Sequence, residues 1–329
     1  MKIAIVILNW NGKQLLEQFL PSVIEYSDNA TVYVVDNAST DDTVTFLKSS
    51  FPRIKIIQNT KNFGFAKGYN EALKQIEADV FCLLNNDVEV TPNWLVPIHE
   101  IFDKNKDTVV IQPKILDYKN KGYFEYAGAA GGFIDKYGFP YCRGRIFTSI
   151  EKDNGQFDDT SKIFWASGAC LFIRSELFNT LNGFDEAFFA HMEEIDLCWR
   201  INNLGYDVNF AYQSVVYHIG GATLNNSSPK KTYLNFRNSL YTLTKNAHGN
   251  IFLTLIVRLF LDGMAAIKFL LELKPQHTFA VLYSHFGFYM HLPLLFKQRK
   301  TISNKRDYYR KTSIVWAYFV NKISQYSRL

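Results

Sequence analysis

Short apolar runs and amphipathic segments alternate through the first ninety residues, and this alternation constrains the fold more than any other feature of the sequence. The apolar runs have the length and the β-branched content of buried strands; they are residues 3–8, 31–35, 54–58 and 79–84. The segments between them carry apolar residues at helical spacing; they begin at residue 13, near residue 40 and at residue 66. This order predicts an α/β fold with a mostly parallel sheet flanked by helices.

Polar side chains cluster where three of the predicted strands end. The clusters are Asn9–Asn11, Asp36–Asn37 and Asn85–Asp87. The carboxyl ends of parallel strands lie along one edge of a sheet, and ligands of α/β proteins bind outside that edge. Asn and Asp also form ordinary turns after strands, but three such clusters at successive strand ends favour a binding site.

The third cluster ends in a residue suited to a metal. Asp87 follows a hydrophobic strand, and a carboxylate there is a good ligand for a hard divalent cation that bridges a diphosphate. Asn85 projects to the same side if the strand geometry continues. His218 follows a short predicted strand, where a lone histidine is more often structural than a metal ligand.

Three carboxylates fall within four positions in the second half of the chain: Glu193, Glu194 and Asp196. Mutual repulsion raises the pKa of some members of such a cluster, which suits a general base. Solvated charges on a helix face are the ordinary alternative, but apolar and aromatic neighbours indicate that this face is not freely exposed. The surrounding pattern predicts strands over 164–173, 207–211 and 214–217, and helices over 175–181 and 193–204.

The net charge of +5 is unevenly distributed along the chain. Residues 297–329 contain nine Lys or Arg and one acid, so this tail carries +8 and the remainder carries −3. The negative charge of the rest of the chain does not favour nucleic-acid binding. A basic tail that follows apolar segments is instead typical of a protein that binds an anionic membrane surface. The four cysteines form no C-x-x-C motif, which favours reduced thiols in the cytoplasm.

The region before the tail is mostly apolar, and its few charged residues fall on one side of a predicted helix. Arg258, Asp262, Lys268 and Glu272 fall within about 120° of arc on a helix over 251–273. Residues 279–296 contain no acid, Lys or Arg but are shorter than the roughly 20 residues that span a bilayer. We expect two helices that lie on a membrane or pack together, with an ordinary helical subdomain as the alternative. The predicted division is residues 1–230 for the α/β domain and 231–329 for the helical, basic region.

Eight fragments of the sequence, taken in order through about 230 residues, resemble the inverting glycosyltransferases of family 2, which have the GT-A fold. The branch they resemble is the rhamnosyltransferase-like one of bacterial polysaccharide synthesis. The fragments are residues 6–12, 34–41, 62–70, 83–88, 166–169, 183–189, 193–200 and His218.

The resemblance implies a role for each candidate residue. Residues implied in nucleotide-sugar binding are Asn9, Asn11, Asp36, Asn37, Asn62, Gly64, Asn70 and Asn86. Of these, Asp36 is implied to contact the nucleotide base. Residues implied in the sugar and acceptor pocket are Trp165, Ser167 and Gly168, and those implied in holding Mg²⁺ or Mn²⁺ are Asp87 and His218. The catalytic base is implied to be Glu194, which stands where the family has Asp, and Glu193 and Asp196 remain candidates.

The function implied is metal-dependent, inverting transfer of a sugar from a nucleotide diphosphate to a hydroxyl of a lipid-linked or growing polysaccharide acceptor. Rhamnose is one candidate sugar, and the nucleotide is left open between UDP and dTDP. The expected location is the cytoplasmic side of the membrane, at its surface. A sugar-1-phosphate nucleotidyltransferase is one alternative, although no Gly-rich loop with a basic residue follows the first strand. A non-catalytic nucleotide-sugar-binding protein is another, although the carboxylates are intact.

Overall fold

The computed structural model describes residues 1–220, 228–299 and 307–329. Its strands are β1 (Ile3–Asn9), β2 (Ala30–Asp36), β3 (Lys55–Gln58), β4 (Val80–Asn85), β5 (Val88–Val90), β6 (Thr108–Asp117), β7 (Gly132–Ile134), β8 (Pro140–Cys142), β9 (Arg145–Ile146), β10 (Ser149–Ile150), β11 (Ser161–Ile163), β12 (Cys170–Arg174) and β13 (Asp207–His218). Its helices are α1 (Lys13–Glu25), α2 (Thr43–Ser50), α3 (Gly64–Leu73), α4 (Val96–Lys104), α5 (Ser175–Thr180), α6 (Glu193–Asn203), α7 (Pro229–Asn246), α8 (Ile251–Leu271), α9 (Pro275–Gln298) and α10 (Ile314–Phe319).

The mostly parallel α/β sheet predicted from the sequence is confirmed. In the central sheet the strands follow the order β11-β13-β6-β12-β4-β1-β2-β3, and β5 pairs with β13. Strands β4, β1, β2 and β3 are mutually parallel. Strand β12 is antiparallel to both of its neighbours, β4 and β6. The polar ends of β1, β2 and β4 therefore meet at one edge.

Alternate side chains of the central strands enter two different cores. On β1, Ala4 and Val6 belong to the core that includes Tyr69 of α3. Ile5 and its neighbours on the other face belong to the core that includes Leu16 of α1. Because both faces are covered, the strands are apolar along their whole length, which is why the sequence shows continuous runs rather than alternation.

Two of the predicted strand segments differ from the structure. The strand predicted over 164–173 is shortened to β12 because Ser167 forms a turn, in which its hydroxyl accepts a hydrogen bond from the Ala169 backbone N–H at 3.2 Å. The two strands predicted over 207–211 and 214–217 are one strand, β13, whose register with β6 shifts between Ala211 and Val215. A bulge of this kind interrupts the alternation in sequence without ending the strand.

The C-terminal residues return to the α/β body. Strands β7 to β10 form a second small sheet, and the Tyr326 ring packs 5.5 Å from that of Phe133 in β7. Within the basic tail, Arg299 donates to the backbone carbonyls of Thr244 and Ala247 at the end of α7. The predicted division at residue 230 stays a prediction, and the contact between Tyr326 and Phe133 crosses it. Lys300, Lys305 and Arg306 of the predicted tail lie outside the described residues.

Helices α7, α8 and α9 pack together beside α6. Within the described residues, α9 has the length and composition of a helix that could cross a membrane, and 28% of its most apolar stretch is buried in the protein. This confirms the expectation of an apolar C-terminal helix.

Candidate active site

The ends of β1, β2 and β4 form one continuous polar edge. Asn9 lies directly opposite Asp36 in the parallel pairing of β1 and β2. The Asn86 side chain donates to Asn9 Oδ1 at 2.6 Å, which joins the end of β4 to the same cluster. Gly12 packs so closely here that a Cβ would lie 2.3 Å from Asn9 Oδ1. Three separate stretches of sequence are thus brought within hydrogen-bond distance.

Asn37 anchors the loop that precedes α3. Its side-chain amide donates to Asn62 Oδ1 at 3.0 Å, and its carbonyl accepts from the Asn59 side chain at 3.0 Å and the Phe63 backbone at 3.2 Å. Asn37 is buried, so these bonds are sheltered from water. The side chains of Asn37 and Asn62 therefore fix the loop that borders the polar edge.

Asn11 and Asp36 hold the loop between β2 and α2. Asn11 has a left-handed backbone with φ of 50°, and its Oδ1 accepts from the Thr40 backbone at 2.7 Å. The Asp36 carboxylate lies 3.3 Å from the Ser39 backbone nitrogen, which donates to it. These bonds place the Asp36 carboxylate at the rim of the cluster, beside the end of β1.

Gly64 and Asn70 contact the segment that precedes α6. Gly64 has φ of +75°, and a Cβ there would lie 2.7 Å from the Phe189 backbone oxygen. The Asn70 amide donates to the Phe184 carbonyl at 2.8 Å and accepts from the Phe184 backbone at 3.0 Å. The structure thus uses the Asn70 amide to fix protein backbone. This differs from the expectation that it faces a nucleotide.

Asp87 and His218 are adjacent because β5 pairs with the end of β13, with Val88 opposite His218. His218 Nε2 lies 3.1 Å from Asp87 Oδ1, and Nδ1 lies 3.3 Å from Glu125 Oε2. Burial would lower the pKa of His218, but the two carboxylates raise it to about 10. The sequence analysis missed Glu125, which has no neighbouring motif and reaches His218 only through the fold.

The pair of Asp87 and His218 fits a divalent cation. One carboxylate and one imidazole nitrogen face each other, and the second ring nitrogen is oriented by Glu125, as is usual for metal-binding histidines. Oxygen with nitrogen is a donor set that Mn²⁺ accepts. Among residues 1–220, 228–299 and 307–329, no three His, Cys, Asp or Glu side chains are grouped to hold a metal. The remaining ligands would therefore come from the diphosphate or water.

Asn85 connects the metal pair to the rest of the site. Its side-chain nitrogen lies 3.4 Å from His218 Nε2, and its backbone N–H donates to the Ala169 carbonyl at 2.9 Å. Ala169 follows Gly168, and a Cβ on Gly168 would lie 3.8 Å from Glu194 Cδ. The end of β4 therefore lies between the metal pair and the carboxylates of α6.

Asp196 has a structural environment. It is fully buried and accepts from Arg200 at 2.9 Å, from the Asn246 side chain at 2.7 Å and from Lys245 at 3.0 Å. Burial would raise the pKa of Asp196, but Lys245 and Arg200 lower it below its usual value. An acid held this firmly as an anion by two cations is a weak base, which corrects the expectation that Asp196 is a candidate for catalysis.

Glu193 and Glu194 form the first turn of α6 and differ in exposure. Glu194 is partly exposed, and burial raises its pKa to about 7 even though the Gly168 backbone hydrogen-bonds to the carboxylate. Glu193 is buried, and burial together with the charge of Glu194 raises its pKa well above the usual value. Within the described chain, Oε2 of each carboxylate has no hydrogen-bond partner. Glu194 keeps some exposed surface elsewhere on the residue, but its Oε2 is buried like that of Glu193.

The turn before α6 is strained and held by α7. His191 and Met192 have φ of 71° and 75°, a left-handed backbone that costs about 1–2 kcal/mol for each non-glycine residue. The Asn238 side chain of α7 donates to the carbonyls of Ala190 and His191 at 2.9 and 2.8 Å. Helix α7 therefore sets the position of the Glu193–Glu194 turn.

The three residues expected in the sugar and acceptor pocket have different positions. Trp165 is buried, and its ring nitrogen donates to the Phe133 carbonyl at 2.9 Å. Ser167 is buried, and its backbone donates to Gln112 Oε1 at 2.9 Å. Gly168 is the one beside the Glu194 carboxylate. Trp165 and Ser167 thus pack the underside of the site, which differs from the expectation that they line it.

Two sequence relatives of this chain carry the names of sugar-transferring enzymes. It is 22% identical over 229 residues to an N-acetylglucosaminyl-diphospho-decaprenol L-rhamnosyltransferase of Mycobacterium tuberculosis, covering 65% of this chain and 75% of that protein. It is 22% identical over 292 residues to a low-salt glycan biosynthesis hexosyltransferase of Haloferax volcanii, covering 84% of this chain and 87% of that protein.

Solved structures share the fold. GalNAc-T7, solved with UDP, GalNAc and Mn²⁺, matches with a TM-score of 0.59 at 16% identity, covering 74% of this chain and 48% of that one. This chain therefore spans about half of that protein. Staphylococcus aureus TarS 1-349 in complex with UDP-GlcNAc matches with a TM-score of 0.55 at 15% identity, covering 90% of this chain and 91% of that one.

The family model described as glycosyl transferase family 2 matches residues 4–181, which include the polar edge and the Asp87 position. The GT-A fold expected from the sequence is confirmed by the structural neighbours. A nucleotidyltransferase is thereby set aside, and the chain is a glycosyltransferase of family 2 with a nucleotide-sugar donor.

Proposed function

We propose that this chain is a metal-dependent, inverting glycosyltransferase that uses Glu194 as its base and a lipid-linked or polysaccharide hydroxyl as its acceptor. The observation that carries the proposal is the position of Asn85. Its side chain reaches the Asp87–His218 pair, and its backbone holds the Ala169 turn that borders Glu194. A diphosphate bound to the first group and a hydroxyl bound to the second would therefore face each other across the end of β4.

The nucleotide is assigned to the polar edge formed by β1 and β2. Asp36 lies at the rim, with Asn9 and Asn11 beside it. A carboxylate there accepts from ring N–H or ribose hydroxyl groups, while Asn37 and Asn62 keep the neighbouring loop in place. Ligands of parallel α/β sheets bind outside this edge. The L-rhamnosyltransferase name of one relative makes rhamnose the first donor sugar to test.

Asp87 and His218 would hold Mg²⁺ or Mn²⁺ on the donor diphosphate. A divalent cation at this position supplies electrostatic stabilisation of the charge that develops on the departing diphosphate. Glu125 orients the histidine ring from the opposite side, because its carboxylate lies 3.3 Å from Nδ1. The support for the metal is this donor set, together with neighbours such as GalNAc-T7 that were solved with Mn²⁺.

Glu194 would remove the proton of the acceptor hydroxyl as that oxygen attacks the anomeric carbon. With the base and the diphosphate on opposite sides of the reacting carbon, one displacement would invert the configuration, as in single-step glycosidases. A pKa of about 7 suits this role, because proton transfer is most efficient when the pKa of the base lies near the working pH. Glu193 is buried behind it and would stay protonated.

The experiment that tests the proposal is a donor screen with product analysis. UDP-, dTDP- and GDP-sugars are offered with a polyprenyl-diphosphate-linked sugar or with oligosaccharides, in Mn²⁺, in Mg²⁺ and in EDTA. We expect one nucleotide class to raise the melting temperature in the presence of metal, since selective binding to the native state stabilises it. We also expect a product with inverted anomeric configuration by NMR.

Three results would overturn parts of this proposal. Full transfer in excess EDTA would remove the metal and the roles of Asp87 and His218. A product with retained configuration would remove the single displacement. Metal-dependent nucleotide-sugar binding without transfer to any acceptor, in detergent or in lipid, would favour the non-catalytic binding protein.

A further inference from the structure

In the first half of helix α8 the charged side chains face the protein and the apolar side chains face outward. Arg258 and Asp262 are almost fully buried and form an ion pair at 2.8 Å. Arg258 also donates to the Tyr137 carbonyl at 3.0 Å and lies 3.9 Å from the centre of the Phe139 ring. The charged stripe noted in the sequence is therefore the side that binds the protein, at least in its first half.

The outward side of α8 continues onto α9. The exposed apolar residues of α8 are Phe252, Leu253, Ile256, Phe260, Met264, Ile267, Leu270 and Leu271, and those of α9 are Phe279, Leu282, Tyr283, Phe286, Tyr289, Met290 and Leu294. We call this set the α8/α9 face. Each member is between 47% and 79% exposed. The helices are joined side by side, with Phe252 stacked on Phe296 at 5.6 Å. Monomeric soluble proteins rarely expose apolar patches of this extent.

The charges around the α8/α9 face are complementary to an anionic surface. The described residues 273–299 contain three Lys or Arg and no Asp or Glu; Arg299 is bound to carbonyls at the end of α7, and Lys274 and Lys297 lie at the two ends of α9. Where α8 meets α9, Glu272 is shared by Lys268 and Lys274, which leaves an excess of positive charge at that end. Exposed Tyr283 and Tyr289 add amphipathic rings of the kind enriched where protein meets lipid headgroups. These features match an anionic bilayer better than an apolar protein partner.

We propose that the α8/α9 face is a monotopic membrane anchor, which inserts into the headgroup boundary of an anionic bilayer while the helices stay parallel to the membrane plane. Amphipathic helices bind in this way with the apolar side buried about 5–10 Å into the boundary. The buried pair of Arg258 and Asp262 keeps α8 attached to the body, so the outward side remains available to lipid.

The anchor lies one helix away from the proposed base. Helix α7 contacts α9 through the Tyr241 hydroxyl, which donates to the Gly287 carbonyl at 3.1 Å. On its other side, α7 holds the turn before Glu193 through Asn238. Packed helices lie about 8–10 Å apart. This spacing would bring a diphosphate-linked sugar at the membrane surface near Glu194, a step that rests on the proposed function.

Vesicle flotation tests the anchor without any donor or acceptor, so it is independent of catalysis. The full chain is mixed with vesicles of phosphatidylcholine alone or of equal parts phosphatidylcholine and phosphatidylglycerol, at low and high salt. We expect flotation with the anionic vesicles. The variant Phe252→Ser, Ile256→Ser, Phe260→Ser should bind at least about a hundredfold more weakly, because each buried apolar side chain contributes at least several-fold.

A matched control replaces three exposed apolar side chains on other elements: Val96→Ser, Tyr123→Ser, Ile150→Ser. This control should float like the parent chain, and circular dichroism should show both variants folded. Flotation that is equal for both variants would overturn the proposal. So would a lack of flotation by the parent chain in either vesicle, or a dimer in solution that the α8 variant dissociates, since a second copy would then cover the face. Flotation without any transferase activity would refute the proposed function and leave the anchor standing.

Discussion

Glu194 gives the sharpest test of the proposed chemistry, because its role predicts a pH profile. Its pKa is raised to about 7, chiefly by burial. About 9% of the carboxylate would be ionised at pH 6 and about 91% at pH 8, so kcat/KM should rise about tenfold between these values. The profile should level off above pH 8, where the base is fully ionised.

Replacing Glu194 by Gln keeps the shape of the side chain and removes the base. Turnover should fall by about 10²–10⁴-fold, the usual contribution of general-base catalysis, while the donor dissociation constant stays within about twofold. Residual turnover should lose its dependence on pH between 6 and 8. The proposed donor site is the polar edge of β1 and β2, which the substitution does not touch.

The same substitution should stabilise the fold at alkaline pH. An unfolded glutamate ionises near pH 4.5 and the folded one near pH 7. The native state therefore binds more protons between these values, and its stability falls as the pH rises through this window. Above pH 7 the loss of unfolding free energy is at most about 3 kcal/mol, and the Glu194→Gln variant would not show this loss. Urea unfolding should show a gain at pH 8 that is about 2–3 kcal/mol larger than the gain at pH 5.

The matched control is Glu193→Gln, since Glu193 is buried beside Glu194 and burial raises its pKa well above the usual value. It should keep the pH profile and most of the turnover. Near-normal turnover in Glu194→Gln would refute the reasoning. A pH-independent parent enzyme between pH 6 and 8, with chemistry shown to be rate-limiting, would refute it as well.

Two further predictions follow from the buried charges. Asp87→Asn should lower kcat by at least about tenfold at saturating Mn²⁺ and leave nucleotide affinity in EDTA unchanged, as measured by calorimetry; equal turnover at all metal concentrations would exclude Asp87 as a ligand. Asp196→Asn should cost about 3–5 kcal/mol of unfolding free energy, because Lys245 and Arg200 lose the charge between them. A loss below about 1 kcal/mol by urea unfolding would show that Asp196 is not the structural anion described here.

The sequence predicts the polar edge well because the edge follows from local rules. Strands such as β1 and β4 are short apolar runs, and the fold places their carboxyl ends side by side. Asn9, Asp36 and Asn86 then become neighbours whatever the loops do in detail. This part of the site depends on the strand order alone, and strand order in α/β proteins is strongly constrained.

Residues whose partners are far away in sequence are not predictable in this way. Asn70 binds the backbone of Phe184, and Glu125 reaches His218. Nothing in the local sequence of α3 distinguishes Asn70 from an amide that faces a ligand. The role of Asn70 is decided by how the 183–192 segment packs against α3, and that of Glu125 by its approach to His218, and both require the whole fold.

The charged stripe of α8 is a second case in which the local sequence pattern does not reveal the partners of a side chain. Helical periodicity places Arg258 and Asp262 on one side correctly. Periodicity does not say whether that side meets water or protein. Tyr137 and Phe139 decide the matter, because their carbonyl and ring satisfy the Arg258 guanidinium in the interior. An interior that supplies partners for both charges leaves the apolar side of the helix without protein cover.

Gly168 explains how a glutamate can act where the resembled family has an aspartate. The longer side chain needs space in front of α6, and a Cβ on residue 168 would lie 3.8 Å from Glu194 Cδ and 3.3 Å from the Phe65 ring. Any larger side chain at that position would therefore press on the carboxylate. The backbone of Gly168 also opposes the rise that burial causes in the pKa of Glu194. With Glu194 as the proposed base, Gly168 would supply the room for the extra methylene and limit the rise in the pKa of that carboxylate.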